Sequence, residues 1–128
     1  MRHRGRKHHR RLTYTAGKRA EWAALIYLTL KGYRPVARRY KCPAGEIDLI
    51  VARRNLVIFV EVKNRADLDT AAFSITQKQQ SRITCAAHYW VMKNRQKYDC
   101  ILRFDAILLV PWRWPLHIAN AFVDNAGQ

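Results

Sequence analysis

Gly45-Glu46-Ile47-Asp48-Leu49-Ile50, followed after a short turn by Ile58-Phe59-Val60-Glu61-Val62-Lys63, decides the fold. Both stretches alternate apolar and charged residues at period two, the pattern of strands with two distinct faces. With Arg54-Asn55 as a two-residue turn, opposed residue numbers sum to 109, so Asp48 faces Glu61 and Glu46 faces Lys63 on one side of a β-hairpin. Ile47, Leu49, Val51, Ile58, Val60 and Val62 are expected on the other side, where a core would fix the register against one-residue slippage. Two carboxylates about 4 Å apart at an effective dielectric near 20 repel by roughly 4 kcal/mol, a large share of a small domain's stability. A hard divalent cation, held by one or two carboxylates and completed by water and phosphate, turns that repulsion into a binding site. Lys63 falls on the same side as Glu61 and is expected to stabilise negative charge and orient an attacking water. The competing reading of the same spacing is an amphipathic hairpin with a solvated face and a Glu46/Lys63 surface pair.

Composition favours the first reading. Among 128 residues, 24 Lys and Arg stand against 9 Asp and Glu, a formal charge of +15. Such an excess is the footprint of a protein that meets a polyanion, with nucleic acid as the expected partner. Three of the nine acids are Glu46, Asp48 and Glu61, an acidic cluster in basic surroundings. That combination suits phosphodiester hydrolysis, in which cations draw in the backbone and acids hold a metal against the phosphate.

With 49% hydrophobic residues the chain is expected to form one domain. Residues 1–13 carry Arg2, Arg4, Arg6, Lys7, Arg10 and Arg11 without any acid and read as a disordered basic arm that contacts nucleic acid. His3, His8 and His9 read as part of that arm. The domain is expected over 14–123 and a short tail over 124–128. No apolar run reaches the length of a membrane span, and no apolar stretch follows the basic start as in a secretory signal. Cys42, Cys85 and Cys100 are widely spaced and read as free, mostly buried thiols of a cytoplasmic protein.

A helix is expected over Gly17 to Lys31, with Ala20, Ala23, Ala24, Tyr27, Leu28 and Leu30 as its apolar stripe and Gly32 as its stop. Glu21 lies near its start, on a face that could look toward the hairpin. A strand follows over Tyr33 to Lys41, with Cys42-Pro43-Ala44-Gly45 as the turn. A second helix runs from about Thr76 to Lys93, introduced by Ser74-x-x-Gln77 or Thr76-x-x-Gln79 as a capping box. Lys78 and Arg82, one turn apart, present two cations to a phosphate backbone. Ile101 to Val110 reads as a strand with Arg103 and Asp105 on one face. The tail Trp112-Arg113-Trp114-Pro115-Leu116-His117-Ile118 adds an edge strand whose tryptophans are expected to cap the core in preference to stacking on bases. The order is αβββαβ with a possible further strand, an α/β sandwich with a mixed central sheet flanked by helices.

Gly17-x-x-x-Glu21, Gly32-Tyr33, Gly45-Glu46-Ile47-Asp48-Leu49-Ile50, Phe59-Val60-Glu61-Val62-Lys63, Lys78, Arg103-Phe104-Asp105 and His117-Ile118-x-x-Ala121-Phe122 together resemble the bacterial YraN family over residues 17–122. That family is similar to archaeal Holliday-junction resolvases and belongs with the restriction-endonuclease-like PD-(D/E)xK superfamily. The resemblance implies the same αβββαβ core, with Asp48 as motif aspartate, Glu61 and Lys63 as the (D/E)xK pair, and Glu21 as the first-helix acid. Asn64 departs from the threonine expected after the lysine. The combined expectation is a Mg²⁺-dependent nuclease, with Mn²⁺ as a substitute. Asp48 and Glu61 hold the ion, Glu21 and Glu46 assist, Lys63 stabilises charge, and Lys78 and Arg82 position the backbone. DNA is favoured over RNA, and a homodimer is left open. The alternative is a non-catalytic nucleic-acid-binding protein that keeps the fold and acts in recombination or repair.

Overall fold

The computed structural model describes residues 18–66, 75–94 and 100–124. The basic arm, most of the loop after Arg65, residues 95–99 and the end of the tail lie outside the described residues. The first helix, α1, occupies 18–30 of the described chain. It ends in a Schellman motif: Gly32 takes φ 97°, its N–H donates to Thr29, and the Tyr33 N–H donates to Leu28. The strands are β1 (Arg34–Cys42), β2 (Gly45–Arg53), β3 (Leu56–Asn64), β4 (Ile101–Leu109) and β5 (Leu116–Phe122), and α2 (Gln77–Lys93) joins β3 to β4. The expected αβββαβ order is borne out and is followed by one more strand.

One five-stranded sheet runs β1-β2-β3-β4-β5. Neighbours pair antiparallel except β3 and β4, which are parallel, as the α2 crossover between them permits. Arg54-Asn55 make the hairpin turn, with Arg53 paired to Leu56 and the register continuing to Leu49 opposite Val60. Both faces of the sheet are covered. Leu49, Val51, Ile58, Val60 and Ile107 pack against Ala24, Leu25 and Leu28 of α1. Ile50, Ala52, Val57, Phe59 and Phe104 pack against Ile83, Ala86, Ala87 and Trp90 of α2. Both edge strands are irregular: β1 shifts register between Pro35 and Ala37 and has Arg39 at φ 55°, and the β4/β5 pairing shifts between Phe104 and Ala106 with Asn120 at φ 54°.

Four expectations need correction. The α1 seam is Ala20, Glu21, Ala24, Leu25 and Leu28, whereas Ala23 and Leu30 face outward, because the true stripe steps by three and four residues. Ile47 joins the cluster on the α2 side and not Leu49 on the α1 side, since β2 leaves its ladder with β3 below Leu49 and strict alternation lapses there. None of the cysteines is fully buried, and Cys85 is exposed on α2. Trp112 and Trp114 cap no core, being 103% and 86% exposed.

Candidate functional site

The hairpin ladder stops at Leu49 and Val60, so Asp48 and Glu61 are not a ladder pair. In its place the Val62 N–H donates to Asp48 Oδ2 at 2.9 Å, and the strand ends open around the two carboxyl groups. A cavity of about 230 Å³ fills this opening, lined by Glu46, Asp48 and Glu61 from the sheet and by Gln79, Arg82 and Ile83 from α2. Gly45 brings α2 there. A Cβ on Gly45 would lie 2.5 Å from the Arg82 carbonyl oxygen, so only glycine lets the helix backbone sit directly on the start of β2.

Burial of Asp48, followed by the neighbouring charge of Glu61, pushes its carboxyl pKa up to about 7 despite the Val62 N–H, and Glu21 adds to the rise. Among the described residues no lysine or arginine forms an ion pair with Asp48. Lys63 instead lies 3.3 Å from Glu61 Oε1, and its Nζ donates to Gln79 Oε1 at 3.4 Å. The same Gln79 oxygen accepts from the Thr76 N–H at 3.1 Å, while the Thr76 hydroxyl accepts from the Gln79 N–H. The Thr76-x-x-Gln79 capping box therefore starts α2 and also holds the lysine beside Glu61.

Glu46 lines the cavity and pairs with Lys41 of β1, and its expected opposition to Lys63 does not occur because the β2/β3 ladder ends at Leu49. Glu21 Oε2 accepts from Arg39 Nε at 2.6 Å, so its charge reaches Asp48 while its carboxylate is already engaged. Arg82 lines the cavity, and Lys78 is exposed one turn away. Arg2, Arg4, Arg6, Lys7, Arg10 and Arg11 lie outside the described residues. Among the described residues no three His, Cys, Asp or Glu side chains gather closely enough to cage a metal by themselves. Two adjacent carboxylates still suit Mg²⁺, which keeps several waters and takes substrate oxygens. A bound cation would also supply the countercharge that Asp48 lacks among the described residues.

A second constellation was not anticipated. Asp105 of β4 is 0% exposed and accepts two hydrogen bonds from Arg103 at 2.8 Å, one from the Asn120 N–H at 2.9 Å and one from His117 Nε2 at 2.6 Å. Lys31 Nζ stands 2.7 Å from His117 Nδ1, so that nitrogen accepts while Nε2 donates. Burial alone would raise the Asp105 pKa, but the bonds from His117, Arg103 and Asn120 outweigh it and hold the carboxyl below its ordinary value. This carboxylate is fully satisfied and anchors β4, β5 and the end of α1.

The fold and cleft define a class: an α/β protein whose mixed five-stranded sheet presents an acid pair where its central hairpin opens, with a lysine beside one of the acids. The chain belongs to the uncharacterised protein family UPF0102, which it matches over residues 20–109. It is 50% identical over 113 residues to a UPF0102 protein of Methylorubrum populi, covering 88% of this chain and 90% of the relative. It is 50% identical over 109 residues to one of Rhodopseudomonas palustris, covering 85% of each. A UPF0102 protein of Nitrobacter winogradskyi is 49% identical over 109 residues, covering 85% of this chain and 92% of the relative.

Proposed function

We propose that this protein binds nucleic acid and hydrolyses a phosphodiester bond in its cleft with a divalent metal, Mg²⁺ or Mn²⁺. The observation that carries the reading is the Asp48/Glu61 pair, in which Asp48 is pushed to about 7 with no ion pair among the described residues while Lys63 stands 3.3 Å from Glu61. The PD-(D/E)xK resemblance names the same three residues. Asp48 and Glu61 would hold the ion, which when bound would polarise the phosphate and activate a water. Lys63, steadied by Gln79, offsets charge that builds on the phosphate oxygens. Arg82 at the rim neutralises the incoming backbone. Because metal competes with the Asp48 proton, affinity for the ion rises with pH up to about 7.

The test is cleavage of linear, branched and single-stranded DNA and RNA with and without Mg²⁺ or Mn²⁺, beside calorimetric metal titration. Cleavage is expected only with metal, to be lost in Asp48→Asn and Lys63→Met, with the calorimetric signal lost in Asp48→Asn. An unchanged titration in Asp48→Asn would sink the metal site. The second reading, a non-catalytic nucleic-acid-binding protein of recombination or repair, draws on Glu21, whose carboxylate is engaged by Arg39. Binding without cleavage under every metal selects it.

Under either reading the basic arm adds affinity without sequence preference. Removing its six cations, Arg2, Arg4, Arg6, Lys7, Arg10 and Arg11, flattens the log K against log salt slope by up to about 5 on duplex DNA, at roughly 0.9 per phosphate contact. A slope that does not change takes the arm out of the interface. A cytoplasmic site of action and a homodimer that cuts two strands complete the proposal. No described helix is long and apolar enough to cross a membrane.

A further inference from the structure

The turn between β4 and β5 breaks a local rule. The Arg113 N–H donates to the Val110 carbonyl at 3.3 Å, Pro111 takes the second position and Trp112 the third, with φ 65°. That is the pattern of a type II turn, whose third position belongs to glycine because a Cβ is strained there. A tryptophan is among the worst side chains for this backbone, and nothing is gained by burial because Trp112 is fully exposed. Trp114, 86% exposed, follows across Arg113 and is itself followed by Pro115. Two rigid indoles are thus displayed outward with a cation between them, at a conformational cost that the fold does not recover.

Their position gives the display a purpose. β3 and β4 are parallel, so the ends of both strands lie at one end of the sheet. Lys63 is the partner of Leu108 and Asn64 of Leu109, and the Arg65 N–H donates to the Leu109 carbonyl at 2.9 Å. Trp112 comes three residues after Leu109, a reach of at most about 10 Å, and neighbouring strands are about 4.8 Å apart. The turn that carries the indoles therefore lies at the end of the sheet where β3 finishes with Glu61, Val62 and Lys63, at the carboxyl ends of the parallel pair.

We propose that Trp112 and Trp114 form a stacking platform for unpaired nucleobases, with Arg113 on the intervening phosphate, so that a single-stranded or frayed segment is led to the Asp48/Glu61 cleft. This rests on the reading of the cleft as a nucleic-acid site and narrows its substrate to nucleic acid carrying unpaired bases. The charge of +15 supplies backbone attraction without preference for sequence, and stacking on exposed aromatic rings supplies the preference for unpaired strands.

The test measures binding of a labelled oligothymidylate and of a blunt duplex, without metal, by the full chain and its Trp112→Gly, Trp114→Ala, Trp112→Phe and Arg113→Gln variants. Trp112→Gly relieves the turn, so its thermal midpoint should equal or exceed the parent's while single-strand affinity falls by about tenfold or more. Trp114→Ala should lose a similar factor, and Trp112→Phe should retain most of the binding. Duplex affinity should change much less in all three. Arg113→Gln should flatten the single-strand salt slope by roughly 0.7, whereas the tryptophan variants leave the slope as it was. Unchanged single-strand affinity in Trp112→Gly, equal losses on both substrates, or a lower thermal midpoint with binding intact would each overturn the platform. Dependence of the variants' effect on dimer dissociation, read by light scattering, or loss of binding to anionic vesicles alone, would overturn it too. Absence of metal-dependent cleavage would remove the hydrolytic reading and leave this binding result standing.

Discussion

Asp48 and Asp105 are two carboxylates of one sheet treated in opposite ways. Asp105 is sealed at 0% exposure and surrounded by donors, and its pKa lies below the ordinary value. Asp48 has one backbone donor and a second carboxylate for a neighbour, and its pKa rises to about 7. Asp105 is sealed and Asp48 only half-buried, yet burial raises the pKa of both, so burial alone does not set the opposite signs. What distinguishes them is whether the fold supplies the countercharge. At Asp105 it does, and the group holds strands together; at Asp48 the described residues leave that role open.

Breaking the satisfied member should have the largest effect. Asp105→Ala leaves Arg103 and His117 without their partner and should lower unfolding free energy by about 3–5 kcal/mol, measured by urea denaturation. A loss below about 1 kcal/mol would erase the contrast. The sign with pH follows from the lowered pKa: the contribution is present above the unfolded-state value of 3.8 and is lost as pH falls through the still lower folded value.

The opposite sign is expected at Asp48. Its folded pKa exceeds the unfolded 3.8, so the native state binds more protons and metal-free stability declines as pH rises from about 4 to about 7. Asp48→Asn keeps an acceptor for the Val62 N–H, removes this decline, and should raise metal-free stability above pH 7 by about 2–4 kcal/mol. Mg²⁺ should stabilise the parent there and not the variant. Parallel pH profiles for the two proteins would refute the assignment.

The smallest expected effect sharpens the contrast from α2. Thr76→Ala removes the N-cap and should cost about 1 kcal/mol. It also loosens Gln79, which holds Lys63, so any cleavage should fall by more than the stability loss explains. A stability loss with unaltered turnover would confine Gln79 to capping.

The hairpin was legible because period-two alternation and a two-residue turn leave one register, and the pairing of Leu49 with Val60 obeys it. Alternation stops being informative where β2 parts from β3, which is why Ile47 departs from the face its spacing predicts. The Thr76 cap was readable from local spacing, but the hold of Gln79 on Lys63 was not, since it depends on how closely α2 sits on Gly45. The Asp105–His117 contact joins residues twelve apart through an irregular strand pair, and no periodicity encodes a register shift. Trp112 and Trp114 depart from the expectation because an aromatic next to a strand is ordinarily sheltered, whereas the β4/β5 turn leaves both exposed, and spacing does not encode that.

The irregular edges of the sheet set how this molecule meets its own copies. An outer strand displays unpaired amides and carbonyls that another chain can extend, and straight, apolar edges invite fibrous growth. β1 begins with Arg34-Pro35, slips register at once, turns at Arg39 and carries a row of cations. β5 bends at Asn120 beyond its own slip. Neither offers a flat template, and like charges along β1 repel a second β1. Crowding many copies of so cationic a chain along one polyanion would therefore leave each sheet closed to its neighbours, with association left to faces and loops.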